Sequence, residues 1–232
     1  MARVCGIMGE SGSGKTTAMR TLDPETTYYI DCDKKGLSWK GWKDSYKAGV
    51  NYLRSNAYET VFYTLATLNL DDRQRELLAK KPPLSEEKRQ ELLRFKTIVV
   101  DTLNGIMVGH EMRHIREKDW DKWTDLAANA WNLIEYALTM RDDLTIIFVF
   151  HSETYRDDLG NTFTRIKTNG RKLEKIVLES KLPTLFLATG MDCDYKFLTK
   201  ASNCTCKAPM GAFESDSVPN DMKTILEALE GF

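Results

Sequence analysis

Residues 9–16 read Gly-Glu-Ser-Gly-Ser-Gly-Lys-Thr, a complete G-x-x-x-x-G-K-[ST] pattern, and no other stretch constrains the fold as tightly. The pattern carries meaning only between a buried strand and a helix. Both flanks are present. The apolar run Val4-Cys5-Gly6-Ile7-Met8 precedes it, and Thr17-Ala18-Met19-Arg20-Thr21-Leu22 follows with helical character. In that setting Gly9, Gly12 and Gly14 let backbone N–H groups curl inward around phosphate oxygens. The positive end of the helix dipole adds to the same site. Glu10, Ser11, Ser13 and Thr17 complete the expected cradle. Lys15 is expected at the β- and γ-phosphates, and the Thr16 hydroxyl on Mg²⁺.

The rest of the chain supplies the elements such a loop needs. Thr27-Tyr28-Tyr29-Ile30-Asp31 and Thr97-Ile98-Val99-Val100-Asp101 are β-branched or aromatic runs that end in acids, and Thr145 to Phe150 is a third apolar run. Further strands are expected near Leu185–Ala188 and Tyr195–Leu198. Between them, residues 58–95 read as mostly helical with a break at Lys80-Lys81-Pro82-Pro83, and Ser85 is an expected N-cap. Apolar positions Leu126, Ala130, Leu133, Ile134, Ala137 and Leu138 recur at helical spacing, and a last helix is expected over 221–229. Strands alternating with helices predict an α/β fold with a mostly parallel central sheet and helices on both faces. At 232 residues, with no internal repeat, a single domain over 1–232 is expected.

Asp101 falls where parallel sheets bind ligands, at the carboxyl end of a strand. There it would accept hydrogen bonds from Mg²⁺-bound water, so Thr16 and Asp101 form the expected metal pair. Hydrolysis also needs a group that orients or deprotonates water, for which Asp31 and Asp33 are the candidates. His151, which closes the apolar run 145–150, stands where a switch residue can report nucleotide state.

Composition excludes several classes. The net charge of −1 confines any nucleic-acid surface to local patches. No apolar run approaches the ~18–20 residues of a membrane span, and no signal-peptide pattern stands at the N-terminus. Five cysteines, an odd number, imply free thiols in a reducing cytoplasm. Cys204-Thr205-Cys206 lacks the partners for a zinc site. His110-Glu111-Met112-Arg113-His114 satisfies H-E-x-x-H, with Glu135 at a plausible distance for a third ligand. It follows directly on the Asp101 strand and is rich in charge, so surface histidines are the expectation.

Tyr-Ile-Asp-Cys-Asp (29–33), Ile-Val-Val-Asp-Thr (98–102) and Ile-Phe-Val-Phe-His (147–151) resemble, in order and position, three core strands of RecA-family recombinases. The resemblance implies a RecA-like P-loop ATPase that binds ATP and Mg²⁺ and uses Lys15, Asp33, Asp101 and His151 in catalysis. Asp33 takes the place of the family's glutamate, and His151 that of its usual glutamine. Nothing in the chain corresponds to RecA's N-terminal oligomerisation helix or its C-terminal domain. The sequence looks more like the compact RecA-like ATPases of bacteriophages, including the Sak-type single-strand annealing group. Segments 33–37, 207–213 and 218–221 share the character of that group. The resemblance implies a DNA recombination or annealing role, single-stranded DNA and a single-strand-binding protein as partners, a homo-oligomer, and the host bacterial cytoplasm. It also implies DNA-contacting loops over about 103–123 and 152–172, and a basic residue reaching a neighbouring subunit's site, for which Lys207 is the nearest match.

The second loop carries Arg156, Arg165, Lys167, Arg171 and Lys172, with Tyr155 and Phe163 interleaved and a hairpin turn at 157–161. Basic groups neutralise phosphates while aromatic rings stack on bases. A second basic–aromatic stretch, 34–54, could bind DNA, cover the nucleotide base or a neighbouring subunit, or bury its rings while its lysines stay in water. Two other classes remain open at this point: a P-loop small-molecule or nucleotide kinase, and a non-catalytic nucleotide-dependent binding module. No guanine-specific Asn-Lys-x-Asp motif is present.

Overall fold

The computed structural model describes residues 1–116, 121–169, 177–191 and 194–232. Among these, nine strands join in one sheet. They are β1 (Arg3–Gly9), β2 (Thr27–Asp31), β3 (Tyr52–Arg54), β4 (Thr97–Asp101), β5 (Thr145–Arg156), β6 (Thr162–Ile166), β7 (Thr184–Met191), β8 (Asp194–Leu198) and β9 (Ser217–Pro219). Their order is β3-β2-β4-β5-β1-β7-β8-β9, with β6 paired to β5 outside that path. From β3 to β7 the pairings are parallel, while β8 and β9 add antiparallel.

Register aligns the chemistry. Asp31 stands opposite Asp101, Asp101 opposite Val149, and Gly9 opposite both His151 and Ala188. The carboxyl ends of β1, β2 and β4 therefore line up with His151 of β5 and Ala188 of β7 along one edge, where α/β sheets place ligands.

Alternation along the strands feeds two cores. On one face Val4, Met8, Ile98, Val100, Ile146 and Phe148 pack under α3 (Tyr58–Leu68), α6 (Leu103–Arg113) and α7 (Asp121–Thr139). On the other, Cys5, Ile7, Val99, Ile147 and Phe186 pack against α1 (Lys15–Ala18) and the C-terminal helix, here α8 (Met222–Ala228). Helices α2 (Trp42–Ser45), α4 (Asp72–Ala79) and α5 (Glu86–Leu93) are the remaining α-helices among the described residues. The caps follow local chemistry: Ser85 accepts from the Lys88 N–H, Thr102 from Gly105, and Asp221 from Thr224.

Two expectations change. The stretch after Asp101, expected as an exposed helix or loop, begins with an eleven-residue helix whose inner face is not exposed but buries Leu103, Asn104, Ile106, Met107 and His110. Its glycines are poor helix formers, but they let the helix approach its neighbours. A Cβ on Gly105 would lie 2.7 Å from both the Cys32 carbonyl oxygen and Asp33 Oδ1. Tertiary packing outweighs the propensity cost of about 1 kcal/mol per glycine. Second, β5 does not stop at Phe150. It runs through His151 to Arg156, and its polar half pairs antiparallel with β6 across the 157–161 turn. Asp157 closes that turn by accepting from the Leu159 and Asn161 N–H groups at 3.0 and 2.8 Å.

Candidate functional site

Between β1 and α1 the loop takes the shape its glycines allow. Gly12 and Gly14 adopt φ of 83° and 86°, a region that side chains with a Cβ rarely occupy. Lys15 folds back across the loop, donating to the carbonyls of Gly9 at 2.8 Å and Glu10 at 2.5 Å. Burial lowers its pKa to about 8, against the opposing pull of Asp101. The ammonium thus stands desolvated at the loop's mouth, tied only to neutral oxygens.

Asp101 lies under the loop and is 3% exposed. Its Oδ2 accepts from the Thr16 hydroxyl at 2.7 Å and from the Tyr29 hydroxyl at 2.5 Å. Its Oδ1 is buried without a hydrogen-bond partner. Burial raises the Asp101 pKa, with the Tyr29 and Thr16 hydrogen bonds opposing it. A buried carboxylate with one orphaned oxygen, next to a threonine hydroxyl, fits a hard cation that takes oxygen ligands. Thr16 would bind the ion directly, and Asp101 would hold it through its waters.

Above these groups opens a cleft of about 750 Å³. Lys15, Thr16, Lys35, His151, Tyr195 and Asn220 contribute to its wall, so β8 and the β9–α8 junction close one side. The volume is in the range of small-molecule and cofactor pockets.

Residues 1–182 match the family model of the AAA domain. The chain belongs to this family. No curated protein matches it. The match supports a P-loop ATPase, and the family generally binds ATP and Mg²⁺.

In this AAA domain Ser11, Gly12, Gly14, Lys15, Thr16 and Thr17 of the loop come together with Asp101 and His151 in the cleft. Asp33 is bonded to Lys35 and Thr102 of the cleft wall, while Gly9, Glu10 and Ser13 do not line it. Asp33 accepts from the Thr102 hydroxyl at 2.8 Å through Oδ1 and from Lys35 Nζ at 2.6 Å through Oδ2. Burial alone would raise its pKa, but the Lys35 and Thr102 hydrogen bonds outweigh that and hold it below the usual carboxylate range. Asp31, the other water-activating candidate, is engaged elsewhere. It accepts from Tyr52 and from the Gly36 N–H, each at 2.7 Å. Burial, reinforced by Lys15, lowers the His151 pKa below its ordinary 6.5, so the ring is neutral at pH 7.

Several site residues escaped the sequence reading. Tyr29 reads as core, yet its hydroxyl reaches Asp101. Asn104 is 4% exposed and bridges two elements: Oδ1 accepts from the His151 N–H and Nδ2 donates to the Lys167 carbonyl, both at 2.8 Å. Its place in the first turn after the Asp101 strand was the available signal. The 34–54 stretch is amphipathic, and its Lys35 and Ser38 also line the cleft. Tyr29, Trp39, Tyr46 and Tyr52 form one aromatic cluster with ring centroids 5.7–6.4 Å apart, and Lys34, Lys35, Lys40 and Lys47 are exposed around it.

Of the basic residues assigned to DNA, Arg156 and Lys167 are exposed on or beside the β5–β6 hairpin. Arg165 pairs with Glu153 at 2.8 Å and lies over the Tyr155 ring. Arg171 and Lys172, like Cys193, lie outside the described residues. Lys207 Nζ donates to the Glu179 carbonyl at 2.8 Å within its own chain, and its backbone bridges to Leu185. The expectation of surface histidines needs correction. His110 is buried in the α6 face, its ring 4.3 Å from that of His114. Glu135 pairs with Lys181. Among the described residues no cluster of histidine, cysteine or acidic groups could hold a metal. Cys5, Cys32, Cys204 and Cys206 are free thiols. No helix among the described residues is long and apolar enough to cross a membrane.

Proposed function

We propose that this AAA domain hydrolyses Mg-ATP, and that hydrolysis serves recombination or single-strand annealing of DNA, as in the RecA-like ATPases of bacteriophages. The observation that carries the ATPase reading is the Thr16–Asp101 pair under a complete phosphate loop, with Asp101 Oδ1 left open. Bound Mg²⁺ would neutralise charge on the β- and γ-phosphates. Lys15 exchanges its loop carbonyls for phosphate oxygens, a stronger charge-assisted contact. Asp33 orients the attacking water and receives its proton. His151, neutral and next to the loop, senses whether a terminal phosphate is present.

The DNA reading rests on the resemblance and on continuity of structure. His151 and Arg156 lie on one strand, and the Lys167 N–H donates to the His151 carbonyl at 2.8 Å. A shift at the nucleotide is thereby carried into the hairpin bearing Arg156, Arg165 and Tyr155, whose cations and ring suit sequence-tolerant contact with single strands. In this reading a single domain spans 1–232, works as a homo-oligomer in a bacterial host's cytoplasm beside a single-strand-binding protein, and offers Lys207 to a neighbouring subunit's site.

Steady-state ATP hydrolysis with Mg²⁺, with and without single-stranded DNA, tests both parts. Turnover should rise with DNA and disappear in Lys15→Ala. In Asp33→Asn it should fall by about 10²–10⁴-fold, the usual worth of a general base, with ATP binding retained. Turnover indifferent to DNA would sink the recombinase reading, and no turnover at all would sink the ATPase reading.

A further inference from the structure

Both oxygens of Asp33 already accept a hydrogen bond, and one of them is held by a cation. Thr102 occupies Oδ1, and the Lys35 ammonium occupies Oδ2 at 2.6 Å. The two partners differ in freedom. Thr102 is buried, whereas the Lys35 side chain is 54% exposed and the Asp33 side chain 16%. Lys35 also borders the same cleft as Lys15, Thr16, Asp101 and His151.

The backbone beneath Lys35 is held on both sides. Gly36 takes φ of 82° and donates its N–H to Asp31 Oδ2, and Lys34 takes φ of 60° with its carbonyl accepting from Arg54. The side chain can therefore swing while the loop stays in place. A lysine suits this motion, since it is a compact charge on a flexible four-carbon stem. Asp33 offers the ammonium one negative charge. A nucleoside triphosphate in the cleft offers more than one on its terminal phosphate, and a diphosphate lacks that group.

We infer that Lys35 is a phosphate-sensing lysine that leaves Asp33 for the terminal phosphate of a bound nucleoside triphosphate, freeing Asp33 Oδ2 to accept the proton of the attacking water. The inference rests on the ATP-hydrolysis reading. The water oxygen bonds to the γ-phosphorus and the bond to the bridging oxygen breaks, its electron pair leaving with the diphosphate. The water proton passes to Asp33. With a diphosphate bound, Lys35 returns to Asp33 and the base is blocked again.

The test measures affinities for ADP and for a non-hydrolysable ATP analogue, with Mg²⁺, in the wild type, Lys35→Gln, Lys35→Arg and Asp33→Asn. The wild type should favour the triphosphate, and Lys35→Gln should lose about tenfold of that preference with its ADP affinity kept within twofold, which also shows it folded. Lys35→Arg should keep part of the preference. Asp33→Asn should bind the triphosphate more tightly than wild type, because its lysine is already released. An unchanged triphosphate-to-diphosphate ratio in Lys35→Gln would overturn the inference and leave Lys35 a structural partner of Asp33. A wild type that binds neither nucleotide would overturn the ATP reading as well.

Discussion

Replacing Tyr29 with phenylalanine removes one oxygen and keeps the ring that packs between Trp39, Tyr46 and Tyr52. The lost group is a buried donor 2.5 Å from Asp101 Oδ2. Burial, and then the charge of Asp101, hold the Tyr29 pKa well above the ordinary phenol value, so it acts as a donor at every working pH. A hydrogen bond to a charged group contributes about 1.5–3 kcal/mol. For a protein of this size each kcal/mol moves Tm by about 2–4 °C, so the melting point should fall by roughly 3–12 °C. A functional cost adds to this. When Thr16 turns to Mg²⁺, Tyr29 is the remaining donor holding the Asp101 carboxylate in place, and half-saturation by Mg²⁺ should rise about tenfold, equivalent to about 1.4 kcal/mol. Thermal denaturation and a Mg²⁺ titration of ATP hydrolysis read the two effects. A Tyr29→Phe protein with wild-type Tm and wild-type Mg²⁺ dependence would refute the reasoning.

Two further outcomes follow from the same geometry. Asn104→Ala leaves the His151 N–H and the Lys167 carbonyl without their side-chain partner, at about 1–3 kcal/mol for each group left unsatisfied. Hydrogen exchange should quicken at His151 and through the β5–β6 hairpin, and unchanged protection there would contradict the bridge. His151 has its pKa lowered on folding. As pH falls through about 6.5, the unfolded chain therefore takes up its proton first. Stability falls over the window from 6.5 down to the folded pKa and is flat above it as far as this group is concerned. His151→Gln should remove that slope in denaturant titrations, and an NMR titration should place the imidazole midpoint below 6.5.

The frame of the site was legible because its signals are local. The phosphate loop, the apolar run before it and the apolar runs ending at Asp31 and Asp101 depend on neighbours in the chain. What escaped depends on contacts between distant segments. Tyr29 looks like any strand aromatic until register sets β2 beside β4. Lys35 looks like one more surface lysine until Asp33 and the cleft are brought together. The burial of α6 was obscured because the close approach at Gly105 and Gly109 is to Cys32 and Asn56, distant in the chain. The hairpin turn at 157–161 was legible, but the unbroken run of β5 into it was not, because Ser152-Glu153-Thr154-Tyr155-Arg156 is polar, as a half-solvated hairpin strand must be.

The pairing of β1 also bears on how the protein is made. The strand that carries the phosphate loop pairs only with segments far downstream of it: Arg3 waits for Thr145, and Cys5 for Thr184. Until then its N–H and C=O groups have no ladder, and closing such distant pairs is slow. The loop is thus synthesised well before the sheet that shapes it. Truncation after residue 182, where the family match ends, would remove β7 and turn β1 from an interior strand into an open edge, a template for aggregation.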